Sequence, residues 1–460
     1  MTDLADLSAT DLLHAFRGKA LSPVEVTEAV LARIAARDTV LNATWALDPE
    51  GAMAAARQSE ARWMVGAPMG ALDGVPITIK ENIATKGVPI PLGTAATDLH
   101  PAAADAPPAA RVREAGAVIL GKTTMPDYGM LSSGLSSFHK LARNPWNPNC
   151  NPGGSSAGAG AAAAAGYGPL HLGTDIGGSV RLPAGWCGIV GLKPTAGRIP
   201  IDPPYIGRVA GPMTRSVADN ALLMEVLSQP DWRDHMSLPP AEIAWRDLDR
   251  DLRGLRIGLL LHPGIGAAPE PDVAAAITDA ARRFEAAGCI VEPLDPFLTP
   301  EMMAGLDQFW RTRSWSDFLL LPEARRAKVL PFIRAWIETA DGLDGVTVLR
   351  GFNRIIEMSA ACVHATHRFD YVISPTAPMP AYQADWPCPT NDPARPFEHI
   401  GFTVGFNMSG QPAVSVNADY TSGGLPIGLQ IIGHRFDDIG VLRMARAWEQ
   451  LRPAQRAWPT

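Results

Sequence analysis

Apolar residues recur along this chain in two rhythms that alternate from one end to the other. After "LSPVEV", Val26, Val30 and Ile34 return every fourth position, the spacing of one helix face. Ser22 can cap that helix, Pro23 suits its first position and Glu25 completes a capping box. The run Gly74–Lys80, "GVPITIK", is β-rich and ends on a lysine, which predicts a strand. "DAPPAARVREAG" reads as a helix closed by Gly116, and "AVILG" after it as a buried strand. More strands are predicted in "LRIGLLL", "YVISPT", "PAVSVN" and "GLPIGLQIIG", with helices at Val273–Ala287 and Gly440–Leu451. Strands interleaved with helices predict an α/β architecture around a largely central sheet. Ser228–Asp251, rich in Pro, Trp and charge, reads as a surface crossover. Residues 1–460 are therefore expected to form a single domain, and a subdomain junction would fall at 228–251.

Composition narrows the classes. With 460 residues, 47% hydrophobic and 19% charged, the chain can bury a large core. Forty Lys and Arg against 47 Asp and Glu give a formal charge of −7, so charge offers no reason to expect nucleic acid or an anionic membrane. Cys150, Cys187, Cys289, Cys362 and Cys388 are odd in number, scattered and without CxxC spacing. They predict neither a disulfide framework nor a zinc site, and a cytoplasmic location. The start, "MTDLADLSATDLLHAF", carries acids where an export signal carries bases. Residues 144–174 lack charge, but they contain Pro145, Pro148, Pro152 and several asparagines, and their apolar part is mostly Ala and Gly. No membrane span is predicted.

Two motif matches fail on context. "GAVILGKT" (Gly116–Thr123) satisfies the phosphate-loop pattern GxxxxGK[ST]. That loop must bare its backbone N–H groups, whereas Ala117–Leu120 belong in a strand that spends them on the sheet. "GSSAG" (Gly154–Gly158) fits the GxSxG nucleophile elbow, but "NPNCNP" before it cannot be the strand an elbow needs. No histidine presents itself as a base, and His364 and His367 read as ordinary helix residues.

What survives is Lys80 at a strand end, Ser155 in a Gly-Gly-Ser-Ser turn, and Ser179 in "DIGGS". A buried lysine can replace histidine as base, because a low-dielectric site disfavours the ammonium. Ser-Lys pairs are a convergent variant of the serine triad.

These residues, with "GVPITIKENI", "GAVILGKTTMPDYG", "RNPWNP", "NPGGSSAG", "LGTDIGGSVRLPAGWCGIVGLKPT", "FNMSGQPAVSV" and "GLPIGLQIIG", closely resemble the amidase signature family over roughly residues 5–450. The resemblance is weakest over about 230–365. It implies a central mixed β-sheet covered on both sides by helices. It also implies a nucleophile at Ser179, a bridging Ser155 after a cis Gly154–Ser155 bond, and a base at Lys80. An oxyanion hole is implied at the backbone N–H groups of Ile176, Gly177, Gly178 and Ser179. Asp175 and Arg181 match family positions and read as supports of the turn. Ala157 departs from the usual Gly or Ser at its position, in an Ala-rich stretch that reads as helix.

The implied activity is hydrolysis of small apolar or aryl amides, or esters, through a serine acyl-enzyme, with neither metal nor cofactor. A carbamate hydrolase using the same residues is one alternative. The catalytic subunit of a glutaminyl-tRNA amidotransferase is another. The loop Met125–Ser137, with Tyr128, Met130 and Leu131, is expected to line the substrate pocket together with Gly154. Phe309, Trp310, Trp315 and Phe318 are candidates for an aryl-binding wall. The expected partner is a small-molecule amide or carbamate, with no nucleic acid or membrane; a homodimer is compatible with the chain.

Overall fold

The computed structural model describes residues 3–459. Eleven strands form one sheet: β1 (Thr44–Trp45), β2 (Pro76–Lys80), β3 (Val118–Thr123), β4 (Leu170–Asp175), β5 (Val190–Lys193), β6 (Val209–Thr214), β7 (Arg256–Leu259), β8 (Ile290–Pro293), β9 (Tyr371–Pro375), β10 (Ala413–Tyr420) and β11 (Pro426–Ile432). Their order is β1-β3-β2-β4-β6-β5-β10-β11-β9-β7-β8. β2 runs parallel to both β3 and β4, and β7 parallel to β8 and β9. The joints between these blocks are antiparallel.

Successive residues of a strand point to opposite faces, and the two cores follow that alternation. Ile373, Val414, Leu429 and Ile431 enter one core with the helices Pro23–Leu41, Pro271–Ala286 and Asp438–Leu451. Val372, Ala413 and Ile432 enter the other, with the helices Arg181–Cys187, Pro300–Leu319 and Gly345–Thr366. The sheet is thus a mixed layer clad on both faces.

Most of the predicted elements appear, and the capping box at Ser22 and Glu25 forms. Val118–Thr123 is a strand whose Lys122 amine is buried on the Ile83 carbonyl and the Thr85 hydroxyl, so the phosphate-loop letters spell part of the sheet. His364 and His367 lie exposed at the end of the Gly345–Thr366 helix. The sequence reading missed β1, β4, β5, β6 and β8. β6 carries Gly211 and Pro212 in a fully buried strand, against local propensity, because antiparallel β4 and β5 enclose it. Residues 228–251 contain no helix or strand and lead into β7 of the same sheet.

Candidate active site

The site forms at the carboxyl ends of the parallel strands β2 and β4, where open α/β sheets offer a crevice. Lys80 is the last residue of β2, and Asp175 the last of β4. Between them in sequence, the turn Gly153–Ser156 leads into the helix Ala157–Ala165, buried at every position. That helix can sit so deep because Ala and Gly let backbones approach; a methyl on Gly158 would come 2.2 Å from the Ala43 carbonyl oxygen. Ala157 is its first residue, so the departure from the family pattern falls within an intact first turn. The Gly154–Ser155 peptide bond is cis, as the resemblance implied.

Lys80 is fully buried. Its Nζ lies 2.8 Å from Ser155 Oγ, 3.1 Å from Ser156 Oγ and 2.9 Å from Thr174 Oγ1. No carboxylate pairs with it among the described residues; neighbouring Glu81 instead accepts from the Gly93 N–H and meets His139 Nε2 at 2.5 Å. Burial pushes the Lys80 amine down to about 7, and the positive charge of Arg208 adds to the effect. Asp175 and Glu81 oppose it less strongly. Burial thus favours the neutral form of the amine that contacts Ser155.

Ser179 follows the turn Ile176–Gly178 and precedes the helix Arg181–Cys187. Asp175 holds this turn: its carboxylate accepts from the N–H groups of Gly178 at 2.7 Å and Val180 at 3.1 Å, and from Arg181 Nε and Nη2. Arg181 also donates to Gln430, Asn407 and the Thr403 carbonyl, tying the turn to β11 and to residues 403–407. Burial alone would raise the Asp175 carboxyl, but the Arg181 guanidinium and its hydrogen bonds hold it well below the usual carboxylate range. Both side chains are fully buried, so removing one strands the other's charge. Arg181→Met is expected to cost about 3–5 kcal/mol in denaturant unfolding.

This geometry corrects two expectations. The Gly178 N–H is committed to Asp175 and cannot also face a substrate oxygen. The N–H groups of Ile176, Gly177 and Ser179 have no protein acceptor among the described residues. Gly154 does not line the pocket; it packs on the backbone of Leu131–Ser133, where a methyl would sit 2.4 Å from the Ser133 nitrogen. Ser155 Oγ and Ser179 Oγ both face the cavity, and no hydrogen bond joins them here.

That cavity holds about 620 Å³. Tyr128, Met130, Leu131 and Trp310 line it. Phe309 instead packs against Phe352, and Trp315 stacks on Phe318, all outside the pocket. The sequence reading missed Trp336, Phe397 and Ile400, which complete the apolar wall. It also missed Tyr205, Arg208, Arg313 and Asp317 on the polar side. Only the fold gathers these residues, since they come from separate loops and from the divergent middle of the chain. The Trp310 Nε1–H is buried there without an acceptor. No histidine lines the cavity.

A buried lysine, two serines and a clamped glycine turn thus lie together at the strand ends. The chain belongs to the amidase signature family: the Amidase family model matches residues 25–442. It is 33% identical over 458 residues to an acylamidase of Rhodococcus erythropolis, covering 97% of this chain and 96% of that one. It is also 34% identical over 492 residues to a glutamyl-tRNA(Gln) amidotransferase subunit of Geobacter metallireducens, covering 100% and 99%. Among solved structures, a bacterial aryl acylamidase of the family superposes with a TM-score of 0.90 at 29% identity, over 97% of this chain and 96% of the other. The protein is thus an amidase-family C–N hydrolase. No helix among the described residues is long and apolar enough to cross a membrane.

Proposed function

We propose that this enzyme hydrolyses small apolar or aryl amides through an acyl-enzyme on Ser179, with Ser155 as relay and Lys80 as base. One observation carries the reading: an unpaired, buried amine 2.8 Å from Ser155 sits beneath a cavity walled by Trp310, Trp336, Phe397 and Ile400. Neutral Lys80 takes the Ser155 proton as Ser155 takes that of Ser179, and Ser179 Oγ attacks the carbonyl carbon. The Ser155–Ser179 hydrogen bond is made when substrate fills the cavity, since such contacts tighten in the Michaelis complex. The developing oxyanion faces the free N–H groups of Ile176, Gly177 and Ser179. The proton held at Lys80 returns through Ser155 to the leaving nitrogen as the C–N bond breaks. Water then attacks the ester by the reverse route, restoring Ser179 and releasing the acid. Clamping the turn through Asp175 keeps those amides in place without substrate. A cytoplasmic location belongs to the same reading and is supported by five free cysteines.

The likeness to a tRNA-dependent amidotransferase component favours a second reading, in which glutamine is the amide and the product ammonia serves a partner. The apolar wall argues for the first. A panel of a p-nitroanilide, a p-nitrophenyl carbamate, a primary aliphatic amide and glutamine separates them. Turnover of the anilide well above glutamine, insensitive to a chelator, is the expected result. Preference for glutamine, or partner proteins that co-purify, would establish the second, and preference for the carbamate would make the enzyme a urethane hydrolase. Trp310→Ala should raise KM for the anilide about tenfold or more through lost apolar contact, with a smaller change in kcat.

A further inference from the structure

The helix Gly345–Thr366 packs its inner face, Gly351, Ile355, Met358 and Cys362, onto the protein. Its outer face is not the polar surface that a solvated helix presents. Val346 is 60% exposed, Leu349 59%, Ile356 51% and Val363 41%. With exposed Asn353 and Ala360 between them, they repeat at alternating steps of three and four residues. That is the spacing of a two-helix seam, sustained from Val346 to Val363 over about 27 Å of helix axis at roughly 1.5 Å per residue. The seam lies opposite the buried face. Scattered apolar surface residues need no explanation, but a continuous stripe at this period does.

We propose that this stripe is a homodimer interface in which the helix pairs antiparallel with the same helix of a second copy. The seam is symmetric about its middle. Laid against itself antiparallel, it sets Val346 against Val363 of the second copy, Leu349 against Ala360 and Asn353 against Ile356. Such a two-fold contact is isologous and closed, as soluble homodimers usually are. Charge supports the same register. Arg350 and Glu357 flank the seam on one side, seven residues apart and both exposed. Antiparallel pairing brings Arg350 of each copy to Glu357 of the other, twice across the axis; a parallel pair would not bring them together. In the single chain Glu357 is held only by Arg354, an exposed pair at 2.5 Å that can exchange partners. Asn353 at the centre weakens the seam, so the dimer is expected to dissociate reversibly in the micromolar range.

Sedimentation of the full-length protein across a concentration series tests this directly, independently of the proposed chemistry. A monomer–dimer equilibrium is expected. Ile356→Glu should yield a folded monomer with unchanged amidase activity, because an unpaired carboxylate cannot be buried in the seam. Arg350→Glu and Glu357→Arg, each alone, should weaken dimerisation about tenfold, and the double exchange should restore it. A protein that stays monomeric to about 100 μM overturns the proposal, since it would mean Kd far above this range. So does a dimer that survives Ile356→Glu, or one indifferent to both single charge reversals. Binding of anionic lipid vesicles by a monomeric protein would assign the stripe to a membrane surface and refute it equally.

Discussion

Ser179→Ala is expected to abolish amide turnover, lowering kcat by at least about 10⁴-fold, because the proposed mechanism forms the acyl-enzyme on Ser179. The fold should survive, since Ser179 Oγ makes no hydrogen bond on which the turn depends; Asp175 holds the turn through the N–H groups of Gly178 and Val180. Substrate binding should survive as well, since the apolar wall of Trp310, Trp336, Phe397 and Ile400 is untouched. Single-turnover measurement with a p-nitroanilide checks this, and an acyl-enzyme should be trapped by mass spectrometry in the wild type only. Ser155→Ala should also be severely impaired but retain the nucleophile. If that variant lost its acyl-enzyme entirely while Ser179→Ala kept near-normal rates, the two serine roles would be exchanged.

Lys80→Met should be nearly as damaging to activity, with the opposite effect on the protein itself. Methionine fills the same volume without requiring a buried amine to be solvated, so the variant should be as stable as the wild type or more so. The pH dependence follows from the same amine. Its pKa is about 7 folded against 10.5 for an ordinary lysine. The active, neutral form therefore accumulates as pH rises through about 7, and kcat/KM should climb over that interval and fall away on the acid side. Stability shifts in the same direction. Between these two values the unfolded chain binds the proton that the folded chain has released, so the Lys80 contribution to stability grows as pH rises across the window. Lys80→Met should remove the acid limb of the rate profile and only the Lys80 share of the stability trend, since Lys122 and Lys193 are lowered to about 7 too. A variant keeping the acid limb of the wild-type profile would transfer that titration to another group and remove Lys80 as the base.

Neighbouring lysines show why burial alone does not rank the amines. Burial drives Lys122 and Lys193 to about 7 as well. Lys122 donates to the Ile83 carbonyl and the Thr85 hydroxyl, and Lys193 to the carbonyl of Pro194. None of the three lines the cavity itself. Of the three, Lys80 alone faces the Ser155 hydroxyl, so position rather than basicity distinguishes it. The same contrast separates the predicted aromatics. Trp310 and Phe309 are adjacent on one helix and point about 100° apart, so one reaches the pocket while the other packs on Phe352.

Local signals carried the strands ending on Lys80 and Pro375, the capped helix after Ser22, and the two glycine-serine turns. In each, the decisive residues are close neighbours in the chain, and short-range sterics and periodicity suffice to specify them. The pocket was not legible in that way. Its aromatic wall draws on Tyr128, Trp310, Trp336 and Phe397, brought together only when distant segments pack into the same core. The loss of the Gly178 amide to Asp175, the retreat of Gly154 onto the Leu131–Ser133 backbone, and the exposed seam of the Gly345–Thr366 helix likewise depend on where distant segments pack. Chain order sets which groups can react, because bonded neighbours share a turn; the packed fold sets which of them meet a substrate, because convergence of remote side chains has no local cause.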